Sequence, residues 1–226
     1  MAKTTTSAQR VKPETEAFIR ADRFVCVAAK AALGQGHMTI IQAGDIADDR
    51  SDRLIVKAIS DFCPTIRGDD FSSILVVFPQ SGYMSEMNFE TYLWARLQAF
   101  HEIDRHLSVW DKSVSPDPGS ADFAMSLGGH GFFIVGMHPQ ASRLARRAPF
   151  ATLAFNPHAQ FRQLRASGAY GRLRRAMRHR DMDLQGTTNP MLSDHGIVSE
   201  AAQYSGRAVT NSWVCPFRAG RAKGHH

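Results

Sequence analysis

Cysteine is scarce in this chain: Cys26, Cys63 and Cys215 are the three in 226 residues, and no two of them stand in CxxC spacing. An odd, small set so spaced excludes a disulfide framework and gives no zinc site, so the expected compartment is the reducing cytoplasm. Long apolar runs are missing too. The longest, residues 74–78 and 132–137, fall far short of the roughly 20 residues that cross a bilayer, and residues 1–10 lack the apolar stretch of a signal peptide. No membrane partner is expected. The familiar catalytic signatures are also absent: no GxxxxGK, no GxGxxG opening a helix, no GxSxG elbow and no HExxH. That sets aside P-loop, dinucleotide-binding, serine-hydrolase and zincin chemistry of the common kinds. Neither an internal repeat nor a low-complexity segment is found.

What is present is apolar material for one sizeable core, at 43% hydrophobic residues. Lysine plus arginine exceed aspartate plus glutamate by 27 to 21, and the excess gathers between Arg143 and Arg180. Such a cluster suits an anionic cofactor, a nucleic acid or plain solvent. Nucleic acid is set aside, because no helix-turn-helix, zinc or aromatic-interleaved basic pattern accompanies the charge.

Along the chain, residues 1–12 read as a disordered arm, residues 13–218 as a single domain, and residues 219–226 as a disordered tail whose end resembles a purification-tag remnant. Helices are predicted over 13–18 and 25–33, the latter stopped at Gly34-Gln35-Gly36, and over 52–62 with Ser51 as N-cap. Residues 38–42 and 74–78 read as strands. Ser85 is expected to cap the clearest helix, whose apolar face is Phe89, Leu93, Leu97, Phe100, Ile103 and Leu107; its His101 and His106 are expected to be merely satisfied or solvated. Residues 110–119 form a loop, 123–127 and 131–137 a hairpin around Gly128-Gly129, and 151–155 a strand. A helix entered through Pro157 runs to about Arg165, breaks near Gly168 and resumes over 170–184. Beyond it the chain is irregular, which in a compact domain marks a functional segment. The implied fold class is α+β, a small mixed or antiparallel sheet backed by helices.

Two histidines close apolar strands: His138 in GMHPQASRLARR and His158 in FNPHAQF. A lone histidine there more often hydrogen-bonds nearby backbone than ligates, but two beside an arginine cluster fit haem, since imidazole ligates its iron and arginine pairs with its propionates. The same features describe a phosphate or carboxylate site equally well. Arg172, Arg174 and Arg175 fall on the polar side of their segment and read as a solvated face. Gln185, Asn189 and Tyr204 are as well suited to stitching the C-terminal segment to the core as to a site.

From Trp110 on, the ordered blocks WDKSVSPDP, SLGGHGFFIVGMHPQASRLARR, FNPHAQFRQLR, RHRDMDLQGTTNPML, SEAAQYSGRAV and WVCPF, with FVCVAAKAAL near the N-terminus, resemble the motifs of the YqcI/YcgG family over residues 24–217. The resemblance implies a haem b protein that hydroxylates a nitrogen of a guanidine, amine or amino acid. Family members with assigned functions act in D-cycloserine and guanitoxin biosynthesis. Oxygen or peroxide would be the oxidant, with an electron-donor protein as a possible partner; a haem or small-molecule carrier or sensor without turnover is the alternative. The same likeness makes His158 the preferred axial ligand, with His138 the other choice and the second pocket histidine. Arg143, Arg146, Arg147, Tyr204 and Arg207 become candidates for holding the cofactor. Asp111, Asp117, Gln185, Asn189 and Glu200 become candidates for the substrate, a carboxylate matching the planar fork of a guanidinium. Cys26 and Cys215 lie in family motifs, which leaves a thiolate ligand open, although buried cysteines are commonly inert packing. Two positions depart from the pattern: Val25 stands where the motif has proline, and Ala202 where it has arginine.

Overall fold

A computed structural model of the protein describes residues 7–191 and 196–220. Its elements run in the order α1 (Ser7–Arg20), α2 (Val27–Gly34), β1 (Met38–Gln42), α3 (Asp52–Phe62), β2 (Ser73–Phe78), α4 (Glu86–Asp104), β3 (Met125–Leu127), β4 (His130–Met137), β5 (Ala151–Pro157), α5 (His158–Ala166) and α6 (Tyr170–Gln185). The strands form one mixed sheet in the order β1-β2-β5-β4-β3, parallel only between β1 and β2. This is the expected α+β class, in a single domain.

The run SILVVF of β2 is buried at every position, which needs cover on both faces. Ile74, Val76 and Phe78 face the larger core, shared with Ile55 and Ile59 of α3 and Phe89, Leu93 and Leu97 of α4. Leu75 and Val77 face a smaller core, shared with Val11, Phe18 and Ile19 of α1 and with Phe24. Chain alternation thus sorts one short apolar run between two layers of helix. The hairpin between β3 and β4 turns on Gly128 and Gly129, both at positive φ (56° and 74°), the backbone that a two-residue loop of this kind demands.

Several boundaries differ from expectation. Residues 7–12 of the expected arm are already helical, because Val11, 1% exposed, anchors α1 in the smaller core; residues 1–6 lie outside the described residues. Ala219 packs on the larger core and the Gly220 N–H donates to His101 Nε2 at 3.3 Å, so these two residues of the expected tail belong to the fold; residues 221–226, with the expected tag remnant, are not among those described. Ser51 does not cap α3, since its Oγ accepts from the Gly44 N–H at 3.3 Å. Ser85 does cap α4, accepting from the Asn88 N–H at 3.2 Å. Leu107 lies past the end of α4 and is 70% exposed, outside the apolar face assigned to it.

Candidate functional site: an arginine-rimmed cavity

On the face of the sheet away from the larger core, a cavity of about 240 Å³ that opens to solvent lies between β4, the start of α2 and the helices α5 and α6. Typical small-molecule pockets hold roughly 300–1000 Å³, so the enclosed part is of small-molecule size and a larger ligand would extend into the open mouth. Its floor is Phe133, Val135 and Met137 of β4, and Phe161, Leu173 and Met177 from α5 and α6 add apolar wall. Arg143, Arg146, Arg165, Arg174 and Arg178 line the same space, with Asp181 and Glu200.

The two histidines do not share the cavity. Phe133, Val135 and Met137 point into the cavity, so Phe132, Ile134, Gly136 and His138 point the other way, toward α4. His138 is 1% exposed and stacks on Phe89 of α4 at 4.5 Å between ring centroids. Among the described residues neither of its ring nitrogens has a hydrogen-bond partner, and burial pulls its pKa below the ordinary imidazole value, with Glu86 opposing. His158, by contrast, opens α5 directly after Pro157 ends β5, lines the cavity and is 4% exposed. Its Nε2 lies 3.0 Å from Glu200 Oε1.

Glu200 is set by the 3-10 turn Glu200–Gln203, which Ser199 caps by accepting from the Ala201 N–H. Its Oε1 also accepts from the Tyr204 hydroxyl at 2.8 Å, and Tyr204 in turn accepts from the Met125 N–H at 3.2 Å. Tyr204 is fully buried, and burial, reinforced by the neighbouring Glu200 charge, holds its phenol well above the usual value. Tyr204 therefore does not line the cavity; it positions the carboxylate that positions His158. Glu200 Oε2 accepts no hydrogen bond among the described residues.

The arginines divide. Among the described residues Arg146 donates only to backbone carbonyls, Gly136 at 2.9 Å, Gln203 at 3.1 Å and Tyr204 at 3.2 Å. With no carboxylate bonded to it, burial pulls its pKa down to about 10. Arg143 is neutralised, donating to Asp181 Oδ2 at 2.5 Å and to the Thr187 carbonyl at 2.7 Å. Arg147 is exposed and turned from the cavity, its Nε donating to the Ala141 carbonyl at 2.7 Å. Arg207 is bound to Glu90 of α4, outside the cavity.

Of the expected substrate residues, Glu200 and Asn189 line the cavity. Asn189 Oδ1 accepts from the Met191 N–H at 2.9 Å, within its own turn, whereas Gln185 bonds Leu144 and Ser142 and ties the end of α6 to the segment before β5. Asp111 and Asp117 lie elsewhere and cap turns, accepting from the backbone N–H groups of Ser113 and Gly131 and of Gly119. Arg174, assigned to a solvated face, and Arg178, given no place in the pocket, both line it, as does Cys26, left open as a thiolate ligand; Arg172 and Arg175 are exposed as expected. The signal for Arg174 and Arg178 was their helical spacing beside Leu173 and Met177. Burial raises the thiol of Cys26 and, to about 11, that of Cys215. His101 is satisfied and edge-on to Trp110 and Phe217.

The profile of the YqcI/YcgG family matches residues 15–218. The chain belongs to the YqcI/YcgG family. A relative in Bacillus subtilis (strain 168), "Uncharacterized protein YcgG", is 24% identical over 158 residues, 67% of this chain, and the chain spans 62% of that relative's length. No solved structure matches the chain significantly. The YqcI/YcgG-like blocks converge on the cavity: GMHPQASRLARR supplies Met137, Arg143 and Arg146, FNPHAQF supplies Asn156, His158 and Phe161, and SEAAQYSG supplies Glu200 and Gln203. No described helix is long and apolar enough to cross a membrane.

Proposed function

We propose that this chain is a haem-dependent oxygenase that hydroxylates a nitrogen of a guanidine, amine or amino-acid substrate. The observation that carries the reading is a single cavity joining an apolar floor, the Glu200-backed His158 and the carboxylate-free guanidinium of Arg146. Haem b is a flat apolar ring bearing two carboxylates, so the residues present fit it. His158 would hold the iron, its ring oriented by a carboxylate as metal-bound histidines commonly are, and Arg146 would meet a propionate. When bound, haem supplies an iron that activates oxygen or peroxide.

The chain's own residues do the rest. Glu200 Oε1 fixes the orientation of the His158 ring and which of its nitrogens carries the proton. Its open Oε2 is a carboxylate oxygen facing a protonated guanidine or amine, whose charge it matches. Phe133, Val135, Phe161 and Met177 exclude water and so strengthen each polar contact inside.

Titrating the purified protein with hemin tests the reading. A Soret band saturating near one haem per chain is expected, lost in His158→Ala, weakened in Arg146→Met and retained in His138→Phe. Failure of the wild type to bind hemin overturns it. Incubation of the loaded protein with reductant and oxygen, or with peroxide, and a panel of amines and guanidines should yield products heavier by one oxygen atom on nitrogen. Haem binding without any such product favours a carrier or sensor instead.

A further inference from the structure

Three oxidisable rings connect the cavity to the opposite surface. Trp213, half-buried in a groove beside Glu90 and Gln98, sits 6.1 Å from Trp94 between ring centroids. Trp94, 3% exposed on α4, stacks on Tyr204 at 5.6 Å with the planes 20° apart. The Tyr204 hydroxyl then bonds Glu200, which bonds His158 on the cavity wall. From these contacts we infer that Trp213, Trp94 and Tyr204 form an electron relay that carries reducing equivalents from the surface through the larger core to the cavity.

Side-chain chemistry separates this path from the other aromatic contacts of Tyr204. Phe123 and Phe133 also touch its ring, and Phe217 continues from Phe123 to Trp110. A phenyl ring is far harder to oxidise than an indole or a phenol, so the phenylalanine branches carry no charge. The two indoles alone give a continuous oxidisable line to the surface.

Each hop balances. A one-electron oxidant in the cavity, which on the reading above is peroxide-treated haem, takes one electron from Tyr204, whose O–H proton moves along its hydrogen bond to Glu200 Oε1. Trp94 then gives one electron to Tyr204, and the proton returns from Glu200. Trp213 reduces Trp94, and a soluble one-electron donor such as an enediolate reduces Trp213. The net result is one electron inward and no proton displaced. Trp94 Nε1 has no hydrogen-bond partner among the described residues, so an oxidised Trp94 keeps its proton and is a stronger oxidant than the Tyr204 phenoxyl. The hop from Trp94 to Tyr204 is therefore uphill, and it is drawn forward as Trp213 rapidly reduces Trp94.

The relay itself is testable without haem, although its physiological oxidant rests on the haem reading. Azide radicals generated by pulse radiolysis of the full chain oxidise accessible indoles and drive the same contacts in their reverse, downhill direction, so the expected result is a concentration-independent decay of tryptophan radical with matching growth of tyrosine radical. That phase should be lost in Tyr204→Phe and in Trp94→Phe, diminished in Trp213→Phe, and kept in Trp110→Phe. An unchanged phase in Tyr204→Phe or Trp94→Phe overturns the relay, even if hemin binds. The expected pattern in a chain that rejects hemin upholds the relay and overturns the haem reading alone.

Discussion

Protonating His138 inserts a charge where no partner receives it, because both ring nitrogens are unbonded and Phe89 covers one face. Its folded pKa is depressed by burial below the ordinary 6.5. The unfolded chain therefore binds the proton more readily, and stability rises with pH in that window. The contribution is fully present above about 6.5 and is lost as pH falls toward the folded value. Denaturant midpoints measured from neutral to mildly acidic pH should drop, and His138→Phe should flatten the slope. Some slope should remain, since burial depresses His101 in the same direction. At the other histidine, Glu200→Gln keeps the shape but removes the charge that receives His158 and Tyr204. On the proposed reading it should weaken hemin retention by roughly 10–100-fold, as loss of a ligand's carboxylate partner commonly does; unaltered retention would show that Glu200 does not support the ligand.

Among the elements, β4 carries the heaviest demands. A Cβ added at Gly136 would come within 2.7 Å of both Leu93 and Phe89 and 2.8 Å of the Tyr204 carbonyl. The Gly136 N–H also donates to that carbonyl at 2.7 Å, which docks the C-terminal segment on the strand. Gly136→Ala should cost about 1–3 kcal/mol by overpacking, read from the denaturant midpoint, and should loosen the turn holding Glu200. The periodicity of the sequence made most elements legible: Ser85 and the Phe89, Leu93 and Leu97 stripe announced α4, Gly128-Gly129 announced the hairpin, and Pro157 with Gly168 bracketed α5. The start of α1 was not legible, because the polar run before Pro13 hides the single anchor Val11. Within the site, the sequence showed both histidines closing apolar strands, but which face of β4 carries the cavity was not legible in a strand apolar on both sides. Asp111 before Ser113 and Asp117 before Gly119 carried the mark of side chains folding back on their own turns. What no local pattern could supply was partner choice across the chain: Arg207 with Glu90, Arg143 with Asp181, and Arg146 with carbonyls only.

At the scale of the whole molecule, one face of the sheet is sealed by α3 and α4, while the other is sealed only where α1 and α2 lie. The helix α6 fully buries Asp181 alone, and its Leu173 and Met177 look into open space. Ligand that binds only the folded chain stabilises it by mass action, so hemin at 100 times its dissociation constant should add about 2.7 kcal/mol, visible as a rise in Tm. Hydrogen exchange should locate that gain. In the empty protein, α6 amides should exchange well before those of β2 and β5, and hemin should slow them preferentially. A guest of the right shape would thus act as the keystone of an arch, completing a span of protein that its own side chains leave unfinished.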